Sequence, residues 1–414
     1  MGGIRKGLEL ALAERGLQSV CVFTSEIKPA AIKILKQNHP EDEIYGDITT
    51  VPTADIPDFD ILCAGFPCQA FSYAGKRLGF ADTRGTLFFE VERILRDKRP
   101  AGFILENVEG LLTHDHGNTL GTMLARLNAM DYKVSYNVLN SRDFGVAQER
   151  KRIYIVGNLN EKADLITFIP KKAVLGDILE KGKPVSDTPF VRNLLSRYSV
   201  EELCGKAIKD KRGGKNNLHS WDLETKGPTS VEERALLNAM LTERRKKKWA
   251  EQYGIEWMDG MALTEDMIRS FCDMPDLRET LDGLVRKGYL AHEHPKRQVR
   301  ETSANGTPVL RREQDPSLPK GYNIVAGKLS FEIAKILSPK ELAPTLVAMD
   351  MQKLYVVDGK GLRRLTLREG LRLFGYPEDF KFDISEKEGY DLLGNTVVVP
   401  VIKAVAGKLL DKIL

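Results

Sequence analysis

Strand-like and helix-like patterns alternate through the first 158 residues of this 414-residue chain. Apolar residues recur at helical spacing in the ranges 4–15, 30–36, 87–95 and 120–130. Short β-rich runs lie among them, at residues 20–24, 60–64, 102–105, 134–139 and 153–156. This alternation is typical of an α/β fold whose mostly parallel sheet is covered by helices on both faces. Ligands of such folds bind beyond the carboxyl ends of the strands.

The alternation ends near Asn158, where the chain becomes rich in Lys, Arg and Glu. We therefore predict a first domain over residues 1–160 and a second, smaller domain over residues 161–384. An apolar pattern resumes near the end of the chain, so residues 385–414 are predicted to return to the first domain.

Within the second domain, residues 263–271 and 277–287 predict two helices, and residues 288–290 a wing strand. This order is compatible with a helix-turn-helix or winged element, and equally with a plain helical hairpin.

Composition excludes several classes of protein. Hydrophobic residues make up 42% and charged residues 29% of the chain, which predicts a packed core rather than disorder. No apolar run approaches the length of a membrane span and no signal-peptide core is present, so a cytoplasmic protein without a membrane is expected. Five irregularly spaced cysteines without a Cys-x-x-Cys pair indicate free thiols, and no metal site is predicted.

Positive charge is concentrated in the middle of the chain. Residues 206–248 contain 12 Lys or Arg and 6 Asp or Glu, a local net charge of +6 in a chain whose total is +4. Such a segment favours a polyanionic partner. On charge alone, a solvated helix face is the commoner explanation.

Cys68 follows the predicted strand at residues 60–64, within Gly65-Phe66-Pro67-Cys68-Gln69. A cysteine in a Gly/Pro loop beyond the carboxyl end of a strand is open to the ligand crevice, as a reactive thiol must be. Most cysteines are structural, however, and Cys63 inside the strand is predicted to be a small core residue.

Two further motifs open on the same crevice. Glu106 ends the strand at residues 102–105, where a carboxyl group can hold or deliver a proton beside a thiolate; the alternative is a helix cap. Gln148, Arg150 and Arg152 precede the strand at residues 153–156 and share a face if the segment is extended. They predict contact with an anion or a base edge, the alternative being a solvated edge strand.

The order and spacing of these motifs resemble the cytosine-C5 DNA methyltransferase family of the bacterial restriction-modification type. The motifs are Pro67-Cys68-Gln69, Glu106-Asn107-Val108, Gln148-x-Arg150-x-Arg152, the stretch from Arg363 to Pro377, and Gly394-Asn395-Thr396-Val397. The resemblance covers about residues 2–157 and 343–400. It implies a Rossmann-like S-adenosylmethionine-dependent methyltransferase sheet with a smaller target-recognition domain.

The resemblance implies methylation of C5 of a specific cytosine in double-stranded DNA. Cys68 would add to C6 of a flipped-out base, with Glu106 at the ring nitrogen N3 and Arg152 at the base carbonyl. Arg150 belongs to the same catalytic motif. The alternatives are methylation of cytosine in tRNA, and an inactive DNA-binding remnant.

S-adenosylmethionine is the implied cofactor. Glu26 is expected at its ribose hydroxyls and Asp47 at its adenine amino group; without the motifs, both would be interpreted as cap and turn residues. The other residues expected to contact it are Gly2, Gly3, Ile27, Ile48, Pro67, Leu87, Asn395 and Val397.

Double-stranded DNA is the implied partner of a chain expected to be a monomer, and such enzymes commonly accompany a restriction endonuclease that acts on the same site. The basic residues of the middle segment are predicted phosphate contacts, whose loss weakens binding without changing specificity. The residues expected at the DNA are Gln69, Arg84, Gln148, Lys206, Lys209, Lys211, Arg212, Lys215, Arg244, Arg245, Lys246, Thr345 and Leu346.

The N-terminus departs from the family pattern. Family members begin with a strand and an Asp-Leu-Phe-x-Gly-x-Gly-Gly loop, whereas this sequence begins at Met1-Gly2-Gly3. One hypothesis is that Met1 is not the native start; the other is a complete chain that binds cofactor poorly. The intact downstream motifs favour the first.

Overall fold

The computed structural model describes residues 1–66, 87–211, 213–256, 260–302, 308–325, 331–348 and 350–414. The chain divides into two compact units. Unit 1 comprises Met1–Gly182, Ser338–Gln352 and Leu365–Leu414, and unit 2 comprises Lys183–Leu337 and Lys353–Arg364.

The division differs from the domain boundaries expected from the sequence. Residues 161–182, 338–352 and 365–384 belong to unit 1, although they fall within the expected second domain at 161–384. The chain leaves unit 1 and returns to it twice. The composition change near Asn158 precedes the first departure, at Lys183, and the final return was predicted at residue 385 rather than at Leu365. The return over Ser338–Gln352 was not predicted, because no composition change marks it.

The helices and strands are numbered in chain order. The helices are α1 (Gly3–Ala13), α2 (Pro29–Asn38), α3 (Leu87–Lys98), α4 (Asn118–Asn128), α5 (Pro189–Arg197), α6 (Val200–Leu203), α7 (Val231–Glu243), α8 (Lys247–Gln252), α9 (Glu265–Arg269), α10 (Leu277–Lys287), α11 (Leu367–Leu373), α12 (Glu386–Gly394) and α13 (Val399–Ile413). The strands are β1 (Ile61–Gly65), β2 (Gly102–Val108), β3 (Lys133–Asn140), β4 (Lys151–Asn158), β5 (Ala207–Ile208), β6 (Asn217–Leu218), β7 (Leu290–Glu293), β8 (Lys296–Thr302), β9 (Pro308–Gln314), β10 (Gly321–Ile324), β11 (Lys335–Leu337), β12 (Leu354–Asp358) and β13 (Gly361–Arg364).

The sheet of unit 1 has the order β1-β2-β4-β3. Strands β1 and β2 are parallel, whereas β4 is antiparallel to both β2 and β3. The expectation of a mostly parallel sheet is therefore wrong for the described residues. The reason is the connection at residues 141–150, which carries no crossover helix and brings β4 back alongside β3 in the opposite direction.

The interior of unit 1 lies on both faces of β2, whose residues Phe103, Ile104 and Leu105 are fully buried. Helix α13 contacts α1, β2 and β4. Gly7 of α1 makes the close approach to α13 possible, because a Cβ atom there would lie 2.5 Å from Ile402 Cβ. Since β2 is central in the sheet, the side chain at its carboxyl end is held on a rigid support.

The segment Glu386–Ile413 is long and apolar enough to cross a membrane, judged by length and composition alone, contrary to the expectation of no such segment. Within its most apolar window, 67% of the residues are buried inside the protein. Val405 and Leu409 of α13, for example, are fully buried. The apolar character of α13 is therefore accounted for by packing in the core.

Residues 20–24, expected to be a strand, form none. The backbone of these residues pairs with no other strand in the described part of the chain. The nearest pairing is a single bridge between Ser25 and Tyr45. Val20 is 84% exposed. Composition alone does not make a strand, because the backbone must find a hydrogen-bonding neighbour.

Unit 2 is built from a five-stranded sheet, β13-β12-β11-β5-β6, and two antiparallel pairs, β7–β10 and β8–β9. The two helices predicted from residues 263–271 and 277–287 correspond to α9 and α10. Strand β7 follows α10 after Gly288, whose φ of +83° ends the helix. A bridge between Leu263 and Tyr322 adds a third extended segment beside β7–β10.

Candidate active site

Glu106 lies near the carboxyl end of β2, directly opposite Gly65, the last residue of β1. The two strands are parallel, so their ends open on the same edge of the sheet. A Cβ atom on Gly65 would lie 3.7 Å from Glu106 Oε2. The chain therefore leaves β1 next to this carboxylate.

Arg152 of β4 forms an ion pair with Glu106, with 3.2 Å between Nε and Oε1. Both side chains are largely buried, at 15% and 13% exposure. Burial raises the pKa of Glu106, and the positive charges of Arg152 and Arg150 offset this only in part. A carboxyl group in this setting can carry a proton closer to neutral pH than an exposed glutamate can.

Asn107 fixes the point at which the chain leaves β1. Its Nδ2 atom donates to the carbonyl oxygen of Phe66 at 2.8 Å, and the side chain is 3% exposed. From the sequence Asn107 has no predicted role of its own, although its place inside the Glu106-Asn107-Val108 motif was a signal. The predicted site residues Pro67, Cys68, Gln69 and Arg84 follow Phe66 in sequence and lie outside the described residues.

Cys63 contrasts with a reactive thiol. It lies inside β1, and burial raises its pKa to about 12. A thiol with such a pKa stays protonated near neutral pH, so it is a poor nucleophile.

Arg150 occupies a different environment from Arg152. It is 4% exposed, and its Nη atoms donate to the carbonyl oxygens of Leu346, Gly394 and Thr396 at 2.8–3.2 Å. Burial lowers its pKa to about 10. Arg150 thus joins three segments of unit 1 through backbone carbonyls, and its charge acts on the same site as those of Arg152 and Glu106. The expectation that Arg150 shares a face with Arg152 stays a prediction.

Gln148 is also inside unit 1 and fully buried. Its Nε2 atom donates to Leu373 O at 3.0 Å, and its Oε1 atom accepts from Leu346 N at 3.2 Å. Leu346 is itself fully buried. The predicted DNA contacts of these two side chains are therefore wrong, because neither reaches the surface.

Thr345 is exposed and donates to the carbonyl oxygen of Glu149 at 2.7 Å, so its predicted DNA contact stays a prediction. It borders an open cleft at the same sheet edge. The residues lining that cleft are Val108, Glu109, Gly110, Glu149, Lys151, Arg152, Pro344 and Thr345.

Glu26 and Asp47 lie on neighbouring backbone segments, which are joined by Glu26 N donating to Tyr45 O at 3.0 Å. Glu26 Oε1 accepts from the amides of Ile27 and Lys28, and Asp47 Oδ1 accepts from Thr49. The Thr49 hydrogen bonds lower the pKa of Asp47. Each carboxylate keeps its second oxygen without a partner among the described residues, so cap interactions leave both able to accept from a ligand.

The other expected cofactor residues belong to several segments of unit 1. Gly3 and Val397 are close, since a Cβ atom on Gly3 would lie 2.8 Å from Val397 Cγ2. Gly2 has a left-handed φ of +72°, suited to a residue without Cβ. Ile27 and Asn395 are exposed, and Ile48 and Leu87 are partly buried.

The basic residues of unit 2 divide by exposure. Lys209, Lys211, Lys215 and Lys246 are exposed, Lys206 and Arg245 are half-buried, and Arg212 lies outside the described residues. Arg244 is 4% exposed, and its Nη1 atom donates to Asn323 Oδ1 at 2.8 Å. Its predicted phosphate contact is therefore wrong. No cluster of three or more His, Cys, Asp or Glu suited to a metal occurs in the described ranges.

A family model, C-5 cytosine-specific DNA methylase, matches residues 1–411. The chain belongs to the C-5 cytosine-specific DNA methylase family. The chain is 59% identical to the Type II methyltransferase M.NlaIV of Neisseria lactamica and 58% identical to the Type II methyltransferase M.NgoBV of Neisseria gonorrhoeae. Each alignment spans 99% of this chain and 96% of the relative. The family predicted from the motifs is confirmed.

Solved structures agree with this C-5 cytosine methylase assignment at the level of fold. The Dnmt2 methyltransferase of S. pombe superposes with a TM-score of 0.51 at 15% identity, covering 99% of this chain and 95% of that one. The predicted α/β methyltransferase fold is confirmed. At this identity the likeness carries no information on substrate.

Proposed function

We propose that this chain methylates C5 of a specific cytosine in double-stranded DNA, as the modification enzyme of a restriction-modification system. The observation that carries the proposal is the buried Glu106–Arg152 pair opposite the end of β1, where the chain enters Pro67-Cys68-Gln69. Relatives at 59% and 58% identity are named Type II methyltransferases, which favours this function over tRNA methylation.

S-adenosylmethionine is the proposed methyl donor. The paired acceptors Glu26 and Asp47 fit its ribose hydroxyls and adenine amino group, because each has an oxygen to spare. Gly3, Leu87, Asn395 and Val397 would complete the site, with the other residues named for it. When bound, the cofactor supplies an electrophilic methyl group.

Cysteine addition activates the cytosine ring. C5 of cytosine is a weak nucleophile, and the Cys68 thiolate overcomes this by forming a bond to C6, which moves electron density onto C5 and the ring nitrogen N3. Protonated Glu106 neutralises the charge at N3. C5 would then take up the methyl group that the bound cofactor supplies. Loss of the C5 proton to a base would restore the C5–C6 double bond and expel the thiolate, while the N3 proton returns to Glu106.

The raised pKa of Glu106 suits this role, because the group must carry a proton while the thiolate adds. Arg152 holds the carboxyl group in place and offers its remaining N–H groups to the base carbonyl. Arg150 is a positioning residue that holds the segments around Arg152. A stacked base cannot reach these groups, so the cytosine must leave the duplex.

Bisulfite sequencing of DNA from cells that express the chain tests the proposal. We expect one protected cytosine within a defined sequence, and no protection with Cys68→Ala. A 5-fluorocytosine duplex should trap the native chain covalently, and also the control variant Cys272→Ala, whose cysteine is in unit 2. Methylated tRNA with unprotected DNA would instead establish the alternative function.

The restriction-modification context is tested by the same cells. Their DNA should resist an endonuclease of the same target sequence. A cognate endonuclease in the native host, a cytoplasmic location and a monomeric state are part of the proposal.

A further inference from the structure

The β8–β9 hairpin in unit 2 is a two-stranded sheet of its own. Its strands pair from Lys296 opposite Gln314 to Thr302 opposite Pro308. Residues 296–314 contain five Lys or Arg and two Glu, a net charge of +3. The positive charge of this two-stranded ribbon favours a polyanionic partner. The ribbon lies outside the basic stretch at residues 206–248.

The two ends of the hairpin are joined to each other and to β7. Asp315 N donates to Pro295 O at 2.8 Å, closing the two strands at their ends. Arg297 pairs with Asp315 at 3.3 Å and Lys296 with Glu293 at 3.1 Å. These contacts hold the start of β8 and the end of β9 in place. The side chains of the following residue pairs are therefore held in a defined orientation.

Gln298 and Arg312 lie directly opposite each other, on one face of the ribbon. Both are exposed, and neither makes a side-chain hydrogen bond or ion pair with another residue in the described part of the chain. Arg pairs with both acceptors of guanine, and Gln with the acceptor and donor of adenine, in the major groove. Their donors are thus available to base edges.

The dimensions suit a DNA groove. Seven residues per strand extend about 20 Å at the usual rise, and paired strands lie about 4.8 Å apart. A major groove about 12 Å wide admits a two-stranded ribbon. Two basic residues of helix α10 are already paired, Arg278 with Glu265 and Lys287 with Glu233.

We propose that the β8–β9 hairpin enters a groove of the target duplex, and that Gln298 and Arg312 determine sequence specificity. The proposal rests on the proposed DNA methylation. In this proposal the exposed lysines at 209, 211 and 215 contact phosphates, whereas Gln298 and Arg312 contact base edges.

Selection from a random duplex library tests the hairpin. The full chain and its Gln298→Ala, Arg312→Ala and Arg312→Lys variants are each used to select a binding motif, and discrimination is then measured on single-base-pair changes. We expect Arg312→Lys to keep general DNA affinity but to lose about 10–100-fold discrimination at one base pair, because lysine lacks the bidentate fork. Gln298→Ala should lose discrimination at a different base pair.

Arg192→Ala is the matched control. Arg192 is an exposed arginine of the same unit, paired with Asp187 on the surface. It should select the native motif unchanged. Hairpin variants that also select the native motif, or that weaken equally on every sequence, overturn the hairpin proposal alone. A native chain that selects and methylates no motif overturns the proposed function and the hairpin proposal together.

Discussion

The pKa of Glu106 depends on its burial and on the charge of Arg152. Burial raises the pKa of Glu106 and the charge of Arg152 lowers it. Removing that charge in Arg152→Gln should therefore raise the pKa of Glu106 further. Because turnover needs protonated Glu106, activity is lost as pH rises through this pKa, and the alkaline limb of kcat/KM should move up by about one pH unit.

The matched control for this prediction is Lys151→Gln. Lys151 is the exposed neighbour in β4, 3.7 Å from Glu109, and its loss should leave the alkaline limb in place. Arg152→Gln should also lose activity, because Arg152 holds the Glu106 carboxyl group in place. An alkaline limb that stays fixed or moves down in Arg152→Gln would show that Glu106 is not the group titrating.

Arg150 is predicted to matter for stability. Its two Nη atoms serve three buried carbonyl oxygens, and a lysine has one nitrogen with which to replace them. Arg150→Lys should lower the free energy of unfolding by roughly 1–3 kcal/mol, the cost of an unsatisfied buried group. Urea unfolding measures this against Arg142→Lys, an exposed site where no loss is expected. Equal stability of the two variants would contradict the role.

These two arginines show how far sequence reasoning reaches at the residue scale. Glu106 and Arg152 could be brought together because both belong to strands at one sheet edge. Arg150, two positions away, could not be placed, because its acceptors lie 196–246 residues farther along the chain. Cys68 remains assigned from its motif.

At the scale of elements, the contact between α1 and α13 depends on Gly7. A Cβ atom at Gly7 would lie 2.5 Å from Ile402 Cβ, so Gly7→Ala should force the helices apart and cost roughly 1–3 kcal/mol. Gly121, in the middle of α4, has nothing within 4 Å of the same position. Gly121→Ala should instead add up to about 1 kcal/mol, since alanine favours a helix. Urea unfolding compares the two variants. If both substitutions change the free energy of unfolding in the same direction, the packing argument is refuted.

Local patterns predicted the first four helices of unit 1, α1–α4, well, since each buries one face and needs no particular partner to be recognised. Helices α11 and α12 of the same unit were not predicted. Strands were harder. Residues 20–24 have strand composition but no ladder partner in the described ranges, whereas β8 and β9 are polar and were not predicted. Their one signal was the Asn305-Gly306 dipeptide between them, a pair common in hairpin turns.

At the scale of the whole molecule, each unit has its own core. Phe103, Leu127 and Ile155 belong to a hydrophobic cluster of unit 1, whereas Leu237 and Leu284 belong to a cluster of unit 2. The three tryptophans, at 221, 249 and 257, all fall within the sequence range of unit 2. Tryptophan fluorescence therefore reports on unit 2, while far-ultraviolet circular dichroism reports on both units.

Paired core truncations should separate the unfolding of the two units. Leu237→Ala and Leu127→Ala each remove a fully buried side chain, at an expected cost of roughly 2–5 kcal/mol. Leu237→Ala should move the fluorescence transition to lower urea and split it from the dichroism transition. Leu127→Ala should leave fluorescence nearly unchanged, because a chain with two cores need not unfold in one step. If both variants shift both signals equally, the cores unfold together, and the repeated crossings of the chain couple them more strongly than their separate packing does.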